Sequence, residues 1–498
     1  MSSPRDSDWL PPVSRLRPGS EPDLSDQLQR DPRARVAIDL GAESCRVSVL
    51  RSVDNGPIIT EVHRIPDGPV SNGSSLRWPL QRILTGIEEG LRQAAYLATE
   101  GIASIAVDGW AVDYVRLDED GNPLHDPFCY RDERTIAAKH KADAVLPPEE
   151  TFRRTGAQPL RINTLYQLLA DSEKEQRAPW LCLPEFVLHW LGAPRVAEYT
   201  NATHTGLVDL ATGNWAPDIF ATLGLDIQAA PRIVPPGTRL GRLQGPLSAL
   251  AAFRDTELIA PACHDTASAI AGIPADLDST AYICSGTWSL IGTLVSQPIT
   301  TPHALAARYT NQGAAAGGFC FHTNVNGMWL LKQCMEQWSA TGRNFTIPEL
   351  VERATACAAT PIINVDAEPL LLAGDMPTRI NEQLAAAGHS PIADIPGNEP
   401  LFARMIFESL ATRYATAIAD LEQMLRRKLT RIHIIGGASR NRLLADLTAR
   451  QTGLPVDCGH PESSTLGNFA VQLAASESSD GHLNQAKLRR WASLLGDY

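Results

Sequence analysis

The sequence predicts an α/β protein of two lobes, and three observations carry that expectation. Strand and helix patterns alternate across both halves of the chain, the arrangement of sheets covered by helices. At 498 residues the chain exceeds one ordinary core, so two sizeable domains are expected. One local pattern, an apolar strand followed by a glycine turn and a return strand, occurs twice. It stands at residues 35–50, RVAIDLGAESCRVSVL, and at residues 281–292, AYICSGTWSLIG. Two similar lobes built this way can face each other across a central cleft and hold a ligand between their turns.

Composition narrows the class. An apolar fraction of 44% and a charged fraction of 20% describe an ordinary globular chain. A formal net charge of −12, with no long basic stripe, argues against nucleic acid as a partner. Nine cysteines lie scattered without a CxxC pair, so they read as reduced thiols in a cytoplasmic protein and not as a disulfide frame or structural zinc site. No apolar run reaches the length needed to span a bilayer, so no membrane association is expected.

In chain order, residues 1–33 mix Pro, Asp and Arg without an apolar h-region and read as a disordered leader. The first lobe, 34–275, opens with a strand Val36 to Leu40, a turn at Gly41 and a return strand Val47 to Leu50. Ile58 to His63 adds a strand, and Leu80 to Ala98 has apolar residues at helical spacing. A buried strand Ile102 to Val107 enters Asp108-Gly109-Trp110, and Val112 to Leu117 returns before an Asp-Gly-Asn turn. Residues 128–135, FCYRDERT, crowd four charges together, as a solvated face or a ligand-facing loop. Helices are expected at 162–175 and 185–191, a Thr- and Asn-rich loop with a short strand at 198–215, and an irregular connection at 231–245 before a strand Glu257 to Ala260. The second lobe, 276–480, holds the second hairpin, helices over Met328 to Trp338 and Phe407 to Leu425, a strand Ile432 to Ile435 entering Gly436-Gly437 and then a helix, a strand Leu454 to Asp457, and a helix opening near Ser464. A tail, 481–498, follows.

The chemistry concentrates in residues 258–292. An acid, Asp265, sits at the expected tip of a buried strand, where a carboxylate can take a proton from a substrate hydroxyl. The Ser285-Gly286-Thr287 turn offers backbone N–H groups and a hydroxyl suited to a phosphate. Taken singly, a capping Asp and a plain hairpin explain these features as well. Trp110 with Asp108 and Asp113 can form a wall for a polyol, or equally a core Trp with turn carboxylates.

Together the segments DLGAESCR, VDGWAVDY, YRDERT, NTLYQL, EYTNATHTGLVDL, HDTASA, SGTWSL, IHIIGGASRNRLL and ESSTLGN, in order from about Val36 to Leu473, resemble the FGGY carbohydrate kinases, and within them the rhamnulokinase group. The resemblance implies a two-lobed, duplicated ribonuclease-H-like fold of the actin and hexokinase type, closing on a sugar and ATP with Mg²⁺. It implies Asp265 as general base, taking the proton of a ketose hydroxyl, most closely the 1-hydroxyl of L-rhamnulose. His264, Thr266, Asn324, Trp110 and Ala111 would hold the sugar. Ala42, Glu43, Ser44, Cys45 and Arg46 would contact the nucleotide phosphates with Thr287, Lys332 and Gly437, and Asp39 would lie near the metal. A monomer or homodimer is expected.

The sequence departs from that pattern at named positions. Cys45 stands where the phosphate loop usually has Gly, and Gly109-Trp110-Ala111 replaces Thr-Trp-Gly in the sugar wall. Lys332 replaces a Gln, Cys284 a Ser and Ala438 a Gly. The altered wall keeps L-fuculose, D-xylulose and L-ribulose in view as substrates, and a non-catalytic sugar or nucleotide sensor as the alternative class.

Overall fold

Two six-stranded sheets of a shared plan frame the protein, seen in a computed structural model that describes residues 31–53, 56–73, 75–478 and 483–496. The expected leader therefore lies almost wholly outside the described residues. In the first sheet the order is Thr238–Arg242, Glu257–Ala260, Ile102–Gly109, Ala34–Leu40, Ser44–Val53, Gly56–Pro66. In the second it is Val456–Cys458, Arg431–Ile435, Thr280–Ser285, Trp288–Val295, Phe319–Asn326, Tyr309–Gly313. Each sheet has an antiparallel run from its opening hairpin and a parallel run beyond the hairpin's first strand. The duplication read from the two hairpins thus extends through both lobes.

The central strands explain themselves. Ala34–Leu40 and Ile102–Gly109 are buried at every position, as continuous apolar strands of a covered sheet must be. Helix Leu80–Leu97 lays its apolar stripe over the first hairpin. The long helix Glu399–Leu425 fills the second core with Phe402, Phe407, Leu410 and Leu421, each fully covered and each stabilising by about 1.5–3 kcal/mol. It begins eight residues before its expected start, because Pro400 is tolerated in a first helical turn.

Several sequence expectations are corrected. Residues 231–245 are not irregular: Thr238–Arg242 is the edge strand beside Glu257–Ala260. Val112 to Leu117 does not return into the main sheet; Tyr114–Arg116 pairs with Trp180–Cys182, and Val112 takes a left-handed backbone at φ +72°. The strand before Asp265 stops at Ala260, ahead of Pro261, so Asp265 opens the helix Asp265–Ala271 instead of ending a strand. Gly436-Gly437 leads first into a 3₁₀ turn, and the α-helix starts at Arg442, where the Asn441 side chain accepts from Leu444 N. In the 128–135 cluster, Asp132 is buried and Arg134 joins a covered ion pair with Asp171 at 2.6 Å, so half of the cluster is structural.

The lobes meet through two helices in matching positions. Asp265–Ala271 follows the last parallel strand of the first sheet, and Ser463–Ser476 follows that of the second. They cross so closely that a Cβ at Gly467 would overlap the Ser268 carbonyl. Helix Gln485–Gly496, within the expected tail, packs Leu488, Trp491 and Leu495 against this pair.

Candidate active site

Three acids gather where neighbouring parallel strands of the first sheet end. Asp39 and Asp108 are register partners on Ala34–Leu40 and Ile102–Gly109, and Gly109 bridges to His264, which places Asp265 beside them. Asp39 accepts from Arg46 Nη2 at 2.5 Å and from the Ser464 hydroxyl. Asp108 has no exposed surface; its Oδ2 accepts from Asn468 Nδ2 at 2.5 Å, and its Oδ1 has no partner among the described residues. Burial, and then the Asp39 charge, hold Asp108 well above the usual carboxylate range.

Asp265 is the exposed member of the three, with a third of its side-chain surface open. Enclosure by the cleft and then the charge of Asp39 push it up to about 7. Thr266 Oγ1 donates to its Oδ1 at 3.1 Å, and His264 Nε2 lies 3.3 Å from the same atom. Burial lowers His264 to about 3, so that imidazole is neutral and the contact is no ion pair. A carboxyl that titrates near neutrality, accessible and without a cationic partner, suits a general base.

The two glycine turns meet across the cleft through Glu43. Its Oε1 lies 2.6 Å from Lys332 Nζ and accepts from Thr287 Oγ1 at 3.4 Å. Arg46 reaches the other way, pairing with Glu462 at the foot of the interlobe helix. The backbones at Gly286 and Gly437 are open, with nothing within 4 Å of where a side chain would start. At φ +80°, with Ser285 O only 2.8 Å from a notional Cβ, position 436 requires glycine and holds that opening in place. Ala42 and Ser44 are half-buried in the first turn. Cys45 departs from its expected role: it lies in the strand Ser44–Val53 with its thiol in the core, so only its backbone can face a phosphate.

The wall contains Trp110 and Ala111, both nearly covered. Trp110 packs on Trp78 with ring centroids 4.3 Å apart and planes tilted by 40°, and Asp113 fastens both rings, its Oδ2 accepting from Trp78 Nε1 at 2.6 Å and Trp110 Nε1 at 3.0 Å. Asp113 has no exposed surface, and burial raises it to about 6. Asp113 is thus enclosed by two indoles and, through Oδ1, by the Gln167 amide at 2.9 Å, so it holds the Trp110 ring and is not a wall carboxylate open to a polyol. Asn324 is exposed on Phe319–Asn326, on the face that also carries His322.

Sequence reasoning missed Trp78, Glu198 and the polar stripe of the interlobe helix. Glu198 accepts from Cys263 N at 2.7 Å and Thr200 N at 2.8 Å, and so sets the loop leading to Asp265. Ser464, Asn468 and Gln472 recur at intervals of four on an otherwise apolar helix and bond Asp39, Asp108 and Ser104 of the first lobe. That spacing was readable as one buried polar face.

The comparisons with known proteins agree with this architecture. The N-terminal domain model of the FGGY family of carbohydrate kinases matches residues 34–272, and its C-terminal domain model matches residues 281–476. The chain belongs to the FGGY family of carbohydrate kinases. Two curated relatives named rhamnulokinase are each 34% identical to this FGGY chain. The one from Bacteroides thetaiotaomicron aligns over 451 residues, 89% of this chain and 91% of the relative. The one from Pectobacterium carotovorum aligns over 450 residues, 88% of each. Gluconate kinase from Lactobacillus acidophilus shares the fold at TM-score 0.72 and 17% identity, covering 93% of this chain and 96% of its own. This FGGY chain is therefore a carbohydrate kinase of mixed α/β, two-domain fold. Among the described residues no helix is long and apolar enough to cross a membrane.

Proposed function

We propose that this kinase transfers the γ-phosphoryl group of ATP to a ketose, most closely L-rhamnulose at its 1-hydroxyl, with Asp265 as general base. The observation that carries the reading is Asp265 itself: open to the cleft, in no ion pair with a Lys or Arg among the described residues, and raised to about 7. The rhamnulokinase relatives favour the sugar.

In this scheme the sugar lies against Trp110 and Ala111, with His264, Thr266 and Asn324 around it. The triphosphate lies between the Ala42–Arg46 segment and Thr287, Lys332 and Gly437, whose hydroxyl, ammonium and open backbone are suited to phosphate oxygens. Asp265 takes the hydroxyl proton as the sugar oxygen bonds to the γ-phosphorus and the bond to the bridging oxygen breaks, releasing ADP; the proton then passes to solvent. Lobe closure keeps water from competing for the phosphoryl group.

The floor also fits Mg²⁺. Among the described residues no three His, Cys, Asp or Glu side chains could cage an ion. What it offers is two register-paired acids, Asp39 and Asp108, the second with an oxygen unpartnered among the described residues and a raised titration, so that an ion there would take the place of its proton. Mg²⁺ suits such a site because it keeps several waters and binds through one or two carboxylates plus phosphate. Held there, it would neutralise charge on the phosphates.

An ADP-coupled assay of the purified protein against L-rhamnulose, L-fuculose, D-xylulose and L-ribulose tests the reading. The largest sugar-dependent rate is expected with L-rhamnulose. A larger rate with another ketose would reassign the substrate, as the Gly109-Trp110-Ala111 wall allows. Binding of sugar and ATP by calorimetry, without ADP release, would support the sensor alternative.

A further inference from the structure

Two amides and a hydroxyl of one helix bond the acid floor from the second lobe, and the scheme above uses none of them. In helix Ser463–Ser476 the Ser464 hydroxyl donates to Asp39 Oδ2, and Asn468 Nδ2 donates to Asp108 Oδ2 at 2.5 Å. Asp39 and Asp108 are register partners on adjacent strands, so positions one turn apart on a single helix each hold one oxygen of one acid. The helix is seated tightly there. At Gly467 a Cβ would stand 1.7 Å from the Ser268 carbonyl oxygen, on the helix that opens with Asp265.

The orientation of the Asn468 amide is set from the first lobe. Gln472 Nε2 donates to Val36 O at 3.1 Å, and because a main-chain carbonyl only accepts, the amide atom facing it is the nitrogen. The same nitrogen donates to Asn468 Oδ1 at 2.8 Å, and Gln472 Oε1 accepts from the Ser104 hydroxyl at 2.6 Å. With its oxygen turned to Gln472, Asn468 has only its nitrogen to give Asp108. Ser104 to Gln472 to Asn468 to Asp108 is therefore a run of hydrogen bonds with one direction, every member buried. It ends on Oδ2. Asp108 Oδ1, also covered, has no partner among the described residues, although buried polar atoms in folded proteins nearly always find one.

We propose that Asn468 is a positioning residue: by occupying Oδ2 it leaves Oδ1 as the oxygen Asp108 offers to a divalent cation, and through Ser464 and Asn468 one helix of the second lobe aims both acids of the floor. The proposal rests on the reading of Asp39 and Asp108 as the place of Mg²⁺. Carboxylates that hold a metal are themselves hydrogen-bonded from behind, and removal of such a partner typically weakens the metal by roughly 10- to 10²-fold.

Mn²⁺ serves as the probe, because the EPR signal of the free ion counts what is bound without any turnover. Titrated into the full chain with ADP and no sugar, Mn²⁺ is expected to bind Asn468→Leu roughly 10- to 10²-fold more weakly than the unmodified protein, since leucine keeps the bulk and removes the donor. Ser104→Ala, which leaves Val36 O to orient Gln472, is expected to stay within about twofold. Asp108→Asn is expected to lose at least as much affinity as Asn468→Leu. Unaltered affinity in Asn468→Leu beside a weakened Asp108→Asn would overturn the proposal and leave the floor reading standing. Unaltered affinity in both would overturn the floor reading and the proposal with it. An equal loss in Ser104→Ala and Asn468→Leu would mark a general loosening of the helix and would also overturn the proposal. If Asn468→Leu does not fold, Gln472→Leu decides in the same titration: it unpairs Asn468 Oδ1 and frees that amide to turn, so weakened binding supports the proposal and unaltered binding overturns it. With no sugar present, the result is independent of Asp265 and of which ketose is phosphorylated.

Discussion

Replacing Glu198 by Gln tests how the base is held. Glu198 is fully buried, and its oxygens accept from Thr200 N at 2.8 Å, Thr200 Oγ1 at 2.5 Å and Cys263 N at 2.7 Å. Burial raises it from 4.5 to about 8, and Glu185, the carboxyl beside it, to about 7. The sign follows from proton counts. Over the window from about 4.5 to about 8 the folded protein holds a proton at Glu198 that the unfolded chain has released, so this residue's contribution is fully present at the low end and is lost as pH rises. At about 1.4 kcal/mol per pH unit, the loss across the window is on the order of 3–5 kcal/mol. Glutamine has one acceptor oxygen where two backbone N–H groups point at two oxygens, so Glu198→Gln leaves one unpaired, a cost of about 1–3 kcal/mol. Urea unfolding of both proteins at pH 5 and pH 9 measures the difference. At pH 5 the wild type is expected to be the more stable by about 1–3 kcal/mol, and by pH 9 that advantage should shrink or reverse. A difference constant across the range would refute the buried, proton-holding carboxyl. Because Cys263 N loses its anchor, kcat is also expected to fall in the variant.

Three further outcomes follow from the site. Asp265 titrating near 7 predicts that kcat/KM falls about tenfold per unit below that pH as the base takes its proton; a flat profile down to pH 5 would contradict it. Val112 at φ +72° is strained for a β-branched residue, but its side chain is also buried, so in Val112→Gly the strain relieved, about 1–3 kcal/mol, is offset by the burial lost, about 1.5–3 kcal/mol, and thermal unfolding is expected to move by no more than about 2 kcal/mol while KM for the sugar rises, since the adjoining wall loses its rigid support. Lys332→Ala breaks a pair whose partners are 42% and 57% exposed, so stability should change by under about 0.5 kcal/mol, while KM for ATP moves because the pair ties the first turn, through Glu43, to the helix Trp329–Ala340 of the second lobe.

Much of this was legible in the residues. The paired hairpins, the covered central strands and the stripe of Leu80–Leu97 follow from apolar spacing, and they give the two lobes. The cleft acids were legible as types, but not as neighbours. Asp39 and Asp108 are 69 positions apart, and only the parallel register makes them adjacent. What the residues hid depends on side-chain direction. Cys45 reads as part of a phosphate loop until strand pairing turns its thiol into the core. Asp113 reads as a polar wall residue until two indoles and an amide enclose it.

The most direct test compares wild type and Asp265→Asn for ADP formation with ATP, Mg²⁺ and L-rhamnulose, with nucleotide-dependent thermal stabilisation measured on the same samples. The account predicts sugar-dependent turnover that drops by at least about 10²-fold in the variant while the stabilisation by ATP persists. Equal turnover in the two proteins would contradict it.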